Sequence, residues 1–143
     1  EDAHIVVDRV GAPMCGAGLN LTLRDLARFG EMMRLGGAFN NRQIVAKSVV
    51  DDIAGGADRD HFARASYVTL PGWSYRNQWW VSHDTFGSYT ARGIHGQVIW
   101  IAPGADLVIA RFASHPTAAN GNGPLDQVSL PSYAALAEHL VGS

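Results

Sequence analysis

The feature that most constrains the fold is a series of strand-like segments in the second half of the chain. Residues 73–82 are rich in aromatic and β-branched side chains, and the same composition returns over residues 94–102 and 107–114. Residues 103–106, which read Pro-Gly-Ala-Asp, are typical of a compact turn between the last two segments. The pattern predicts an antiparallel hairpin with residues 73–82 as its neighbour, in a three-stranded meander.

Helical segments precede these strands. Thr22 is a good N-cap, and Asp25 follows it three residues later. The apolar spacing that follows predicts a helix over residues 23–35, which Gly36 ends. A second helix is expected over residues 46–53.

The other segments complete an α+β unit. Residues 56–72 lack sustained periodicity and predict either an excursion loop that borders a substrate site or a solvated connector. A closing helix is expected over residues 131–141, with Pro131 in its first turn. We therefore expect residues 1–143 to form one unit, in which the closing helix packs on the sheet.

Composition excludes several function classes. The net charge of −2 arises from 11 basic and 13 acidic residues, without a run of like charge, so we expect no nucleic-acid partner. Apolar runs such as residues 98–102 are far shorter than the roughly 20 residues of a membrane span, so no membrane partner is expected. A length of 143 residues suits one hydrophobic core.

Neither a metal nor a cofactor is indicated. Cys15 is the single cysteine, and the six histidines show no zinc-ligand spacing. The glycines form neither a phosphate loop nor a dinucleotide fingerprint. Cysteine usage leaves the compartment open between cytoplasm and periplasm. The start at Glu1, without Met or signal-peptide features, is consistent with processing or truncation.

The chain contains one wall of a serine-hydrolase site without the nucleophile. Its only lysine, Lys47, follows Ile44 by three residues, so no Ser-x-x-Lys pair exists, and no Gly-x-Ser-x-Gly is present. Gly93 and Gly96, however, leave the backbone bare where an apolar strand begins, which suits an oxyanion hole.

Three segments in order resemble a known family. They are Gly16–Gly30, the Trp79-Trp80 strand and the run Arg-Gly-Ile-His-Gly-Gln at 92–97. Together they resemble the C-terminal part of the serine β-lactamase and penicillin-binding-protein superfamily, most of all the branch of 6-aminohexanoate-dimer hydrolases and related esterases. The resemblance covers roughly residues 2–140.

The resemblance implies the C-terminal portion of the β-lactamase/transpeptidase-like fold, an antiparallel sheet with flanking helices. In that superfamily the nucleophilic serine, its lysine and a tyrosine all precede the matched region. The implied partner is therefore the N-terminal portion of the same enzyme, which would carry the nucleophile.

The family's Lys-Thr-Gly or His-Thr-Gly box corresponds to Ala91, Arg92 and Gly93. The next residue, Ile94, would donate its backbone N–H to the oxyanion. Ala91 lacks the cation that would hold the carboxylate of a β-lactam or peptidoglycan stem, so a small amide or ester substrate is favoured. Strand alternation would turn Arg92 away from Ala91 and Gly93.

The expected substrate-binding residues flank this box. They are Cys15, Gly16, Ala91, Arg92, His95 and Gly96. If residue 95 lay on a strand, His95 would point away from the substrate, which favours a hydrogen-bonded structural histidine over a general base. Gly96 would either admit substrate or only relieve crowding. Cys15, in the loop before Gly16, would line the cleft or be buried.

Three hypotheses remain open. The chain is part of a serine hydrolase that acts through an acyl-enzyme, and β-lactamase or DD-peptidase activity is a variant of this hypothesis. Alternatively, it is a non-catalytic binding or regulatory module of the same fold. It could also be only a folding unit. Under each hypothesis we expect no hydrolase turnover by this chain alone.

Overall fold

An antiparallel meander forms the centre of the computed structural model, which describes residues 3–14, 16–118 and 124–142. Within these ranges the helices are α1 (Leu23–Arg34), α2 (Lys47–Gly55), α3 (Arg59–Ala63) and α4 (Pro124–Gly142). The strands of the main sheet are β5 (Ser74–Arg76), β6 (Trp79–Val81), β7 (Tyr89–Arg92), β8 (Val98–Ala102) and β9 (Leu107–Arg111). They lie in the order β5-β6-β7-β8-β9.

Two small hairpins lie outside the main sheet. Strands β1 (His4–Ile5) and β2 (Leu19–Asn20) pair with each other, as do β3 (Ala38–Phe39) and β4 (Arg42–Gln43). The first hairpin precedes α1, and the second connects α1 to α2. The expected α+β class, with an antiparallel sheet and flanking helices, is confirmed.

The predicted three-stranded meander was wrong in its number of strands. Residues 73–82 contain a hairpin of β5 and β6, which turns at Asn77 and Gln78, both with positive φ (48° and 69°). Such two-residue turns suit the right-handed twist of paired strands. The predicted strand over residues 94–102 begins only at Val98, because a turn separates it from β7.

The predicted helices are confirmed, with changed ends. The Thr22 hydroxyl oxygen accepts a hydrogen bond from the Asp25 N–H at 3.2 Å and caps α1. The excursion segment contains the short helix α3. Helix α4 begins seven residues before Pro131, which therefore lies inside it rather than in its first turn. The part of α4 before Pro131 is held to the sheet by the hydrogen bond between Asp126 and Arg92. The part after Pro131 packs against the sheet through the buried residues Tyr133 and Ala137.

Each face of the sheet has its own apolar cluster. On one face, Tyr89 and Ile99 pack with α1 and α2; on the other, Trp100 packs with Tyr133 of α4. Gly30 allows α1 to lie close to the sheet, because a Cβ there would meet Val108 Cγ1 at 2.5 Å. Helices therefore cover both faces of the sheet. No helix in the described ranges is long and apolar enough to cross a membrane.

Candidate active site

The turn between β7 and β8 presents an uncommitted backbone donor. Gly93 N–H donates to the Gln97 carbonyl at 2.9 Å, and Gln97 N–H donates to the Ile94 carbonyl at 3.2 Å. Ile94 itself is 64% exposed, and its N–H makes no hydrogen bond with any residue that the structure describes. A fixed and exposed N–H is the group that an oxyanion hole requires.

His95 occupies this turn rather than a strand, so strand alternation does not apply to it. Its φ of 55° and ψ of 24° place it in the left-handed region. Its Nδ1 lies 2.7 Å from the His115 carbonyl oxygen. Because a carbonyl oxygen only accepts, Nδ1 carries the proton of this bond. The ring is therefore anchored to the chain segment that follows β9.

Arg92 lies on the α4 face of the sheet. Its side chain is 4% exposed, and its Nη2 lies 2.5 Å from Asp126 Oδ1. The guanidinium also lies over the Trp80 ring, 5.7 Å from its centre. Ala91 faces the opposite cluster and is half-buried. The structure therefore does not bring the Arg92 cation to the pocket wall that the sequence analysis assigned to it.

Gly93 and Gly96 are needed by the turn itself. A Cβ at Gly93 would lie 2.9 Å from Gln97 Cβ. Gly96 is buried with φ of 85°, and a Cβ there would lie 2.0 Å from the His115 ring. Of the two alternatives for Gly96, the packing supports relief of crowding, because the His115 ring occupies the space beside it.

The other expected lining residues lie near the N-terminus. Gly16 is exposed in the segment between β1 and β2, with open space around it. Cys15 lies outside the described residues. Among the described residues, no group of three His, Cys, Asp or Glu side chains could hold a metal ion.

Sequence reasoning missed a serine–histidine pair. Ser74 Oγ lies 2.7 Å from His83 Nε2 and accepts the Ala57 N–H at 2.9 Å. Burial lowers the pKa of His83, and the positive charge of Arg59 lowers it further, against the opposite effect of Asp84. The imidazole tautomer decides whether Ser74 Oγ or His83 Nε2 donates in this bond.

The pair nevertheless has the properties of a structural bond. Ser74 is 0% exposed, so its oxygen is not accessible to a substrate. The hydrogen bond from the Ala57 N–H to Ser74 Oγ joins the segment after α2 to the edge strand β5. The nine-residue separation of Ser74 and His83 matches no nucleophile motif, so the spacing carried no signal of the contact.

The antiparallel sheet with helices on both faces is that of a β-lactamase-like fold. No known protein-family profile matches the chain. The 6-aminohexanoate-dimer hydrolase of Paenarthrobacter ureafaciens is 35% identical over 117 residues, which are 81% of this chain and 30% of that protein.

A solved structure shows the same relationship. A Bacillus anthracis protein assigned as a 6-aminohexanoate-dimer hydrolase superposes with a TM-score of 0.78 at 34% identity, over 98% of this chain and 34% of its own. The chain thus spans about a third of the length of the relatives it matches. Over that part, it is a homologue of the 6-aminohexanoate-dimer hydrolases.

Proposed function

We propose that this chain supplies the oxyanion donor and one pocket wall of a serine hydrolase that cleaves an amide or ester bond. The observation that carries the proposal is the N–H of the exposed residue Ile94, from which no described residue accepts a hydrogen bond. The hydrolase names of the relatives support the reaction class.

In this proposal, a serine of the N-terminal portion attacks the substrate carbonyl carbon. The carbonyl oxygen gains the electron pair of the C=O π bond and becomes negative, and the Ile94 N–H donates to it. The tetrahedral intermediate then re-forms the C=O bond and breaks the bond to the amine or alcohol, which leaves with the proton that the serine hydroxyl gave up, so that an acyl-enzyme remains. Attack by water on this ester repeats the sequence and releases the acid. A preset donor of this kind contributes about 2.7–4 kcal/mol to each transition state.

The residues around the donor favour a substrate without a carboxylate beside the scissile bond. Ala91 offers a methyl group, and the neighbouring cation of Arg92 is paired with Asp126 on the other face of the sheet. We therefore propose a small amide or ester as substrate, rather than a β-lactam or peptidoglycan stem.

The proposed partner is the N-terminal portion of the same enzyme. No Ser-x-x-Lys pair is present in this chain, and the buried oxygen of Ser74 already accepts the Ala57 N–H. The relatives are about three times as long as the matched part, which leaves room for a nucleophile-bearing portion. We propose that residues 1–143 alone are inactive.

Labelling with a fluorophosphonate, which marks activated serines, tests this proposal. Intact mass is measured for the complete enzyme, for residues 1–143 alone and for a Ser74→Ala variant of each. We expect one adduct on the N-terminal portion of the complete enzyme, in both forms, and none on residues 1–143. An adduct on residues 1–143 that Ser74→Ala removes would contradict inactivity alone. Absence of any adduct would favour a non-catalytic module of the same fold.

A further inference from the structure

The turn that carries Ile94 is bound to the segment after β9. Residues 113–118, called the strap below, follow β9 and lie against this turn. Two backbone bonds join them: His115 N–H donates to the His95 carbonyl at 3.1 Å, and His95 N–H donates to the Ala118 carbonyl at 3.1 Å. The His95 imidazole adds the bond from Nδ1 to the His115 carbonyl, at 2.7 Å.

A second group of contacts joins the strap to the other end of the turn. The Gln97 amide donates to the Ala113 carbonyl, and the Ala113 N–H donates to the Gln97 side-chain oxygen at 3.3 Å. The His115 ring also occupies the space that a side chain at Gly96 would need. Backbone, side-chain and packing contacts therefore all connect the strap with residues 95–97.

The conformation that these contacts hold is an unfavourable one. A left-handed backbone costs a non-glycine residue about 1–2 kcal/mol, and histidine pays this cost at position 95. Such residues persist where the surroundings determine them several times over, and they concentrate at functional sites. Here the strained residue directly follows Ile94, whose N–H makes no hydrogen bond within the described part of the chain.

From this arrangement we infer that His95 is a positioning residue for the Ile94 N–H, and that the strap is the support through which it acts. The inference rests on the proposed function of Ile94. The Ile94 carbonyl is bound within the turn by Gln97, while the left-handed His95 sets the direction in which the chain continues. Release of His95 from the strap lets the Gly93–Ile94 peptide plane rotate, which turns the N–H away from the oxyanion.

Three substitutions at position 95 separate the side-chain bond from backbone strain. Asparagine tolerates the left-handed region, and its Nδ2 stands at the same number of bonds from the backbone as histidine Nδ1, so His95→Asn keeps the donor. His95→Gly tolerates the conformation without the donor. His95→Ala loses the donor and keeps the strain. His139→Ala, at an exposed position of α4, is the matched control.

The experiment measures kcat and KM on a p-nitrophenyl ester for each variant of the complete enzyme, with kcat normalised to the sites that a fluorophosphonate labels. We expect kcat to fall about 10-fold in His95→Gly and further in His95→Ala, with KM changed less than about twofold, as for loss of a contact made in the transition state. His95→Asn and His139→Ala should keep kcat within about threefold of the parent, because both retain the strap bond.

The outcomes distinguish this inference from the proposed function. A merely structural role would lower the labelled fraction and leave kcat per labelled site unchanged. An unchanged kcat in His95→Gly, in an enzyme whose parent is labelled, would overturn the positioning role and leave the proposed function standing. A parent enzyme without any labelled serine would overturn both. Loss of kcat in His95→Asn equal to that in His95→Gly would also overturn the positioning role, because the side-chain donor at position 95 would then be irrelevant.

Discussion

Replacement of Ile94 by proline removes the proposed oxyanion donor with little other change. The Ile94 N–H makes no hydrogen bond with the described residues, and the residue is 64% exposed, so neither a structural bond nor much packing is lost. Gly93, with φ of −96° and ψ of 173°, already has the extended backbone that a residue before proline adopts. Proline is also well suited to the first position of a helical turn.

The expected effect follows from the worth of one oxyanion donor. Its loss lowers kcat by about 100- to 1,000-fold, which corresponds to about 2.7–4 kcal/mol. Ile94→Ala is the matched control, because it removes the same side chain and keeps the N–H. We expect its kcat to stay within about threefold of the parent.

Ester hydrolysis by the complete enzyme is the assay, with kcat normalised to fluorophosphonate-labelled sites. Thermal unfolding of both variants shows whether the turn tolerates proline. If Ile94→Pro retains a kcat within about threefold of Ile94→Ala, the Ile94 N–H does not stabilise the oxyanion, and the central argument for the site is refuted.

Three further predictions concern the fold. Asp126→Ala should destabilise the chain by about 3–5 kcal/mol in urea denaturation, because it leaves the Arg92 cation buried at 4% exposure without its carboxylate; a loss below about 1 kcal/mol would contradict this. Ser74→Ala should cost about 1–3 kcal/mol, since the Ala57 N–H loses its acceptor, and Ser74→Thr, which keeps a hydroxyl, serves as the comparison. The lowered pKa of His83 predicts stability that is complete above the unfolded value of 6.5 and is lost as pH falls below it, because the unfolded chain then binds more protons. His83→Gln should flatten this dependence as pH falls below 6.5, and an unchanged slope would show that His83 is not its source.

Local interactions explain the elements that were predictable from sequence. The cap at Thr22 and the helix that follows depend on residues within a few positions of one another. The turn over residues 103–106 and the pairing of β8 with β9 are also local, and the structure confirms both. The alternation that placed Arg92 opposite Ala91 holds, because both residues lie on the regular strand β7.

The predictions that failed depended on backbone conformations that residue type does not reveal. The apolar run through Ile94 suggested one continuous strand, whereas the left-handed backbone at His95 makes a turn there. Gln78 has a positive φ without being glycine, and so the hairpin within residues 73–82 carried no strong turn signal beyond Asn77. In both places, contacts with neighbouring segments outweigh local preference.

The sequence by itself determined the class of the chain, helices α1 and α2, the position of the box at residues 91–93 and the absence of a Ser-x-x-Lys motif, because each follows from residue types at short spacing. Only the tertiary structure decided that the Ile94 N–H makes no hydrogen bond with the described residues, that Arg92 is paired with Asp126, and that residues 113–118 hold the turn. The side-chain hydrogen bonds among these contacts join residues 16 to 34 positions apart along the chain. Their energies depend on how the sheet, α4 and the strap pack together, which no short segment encodes.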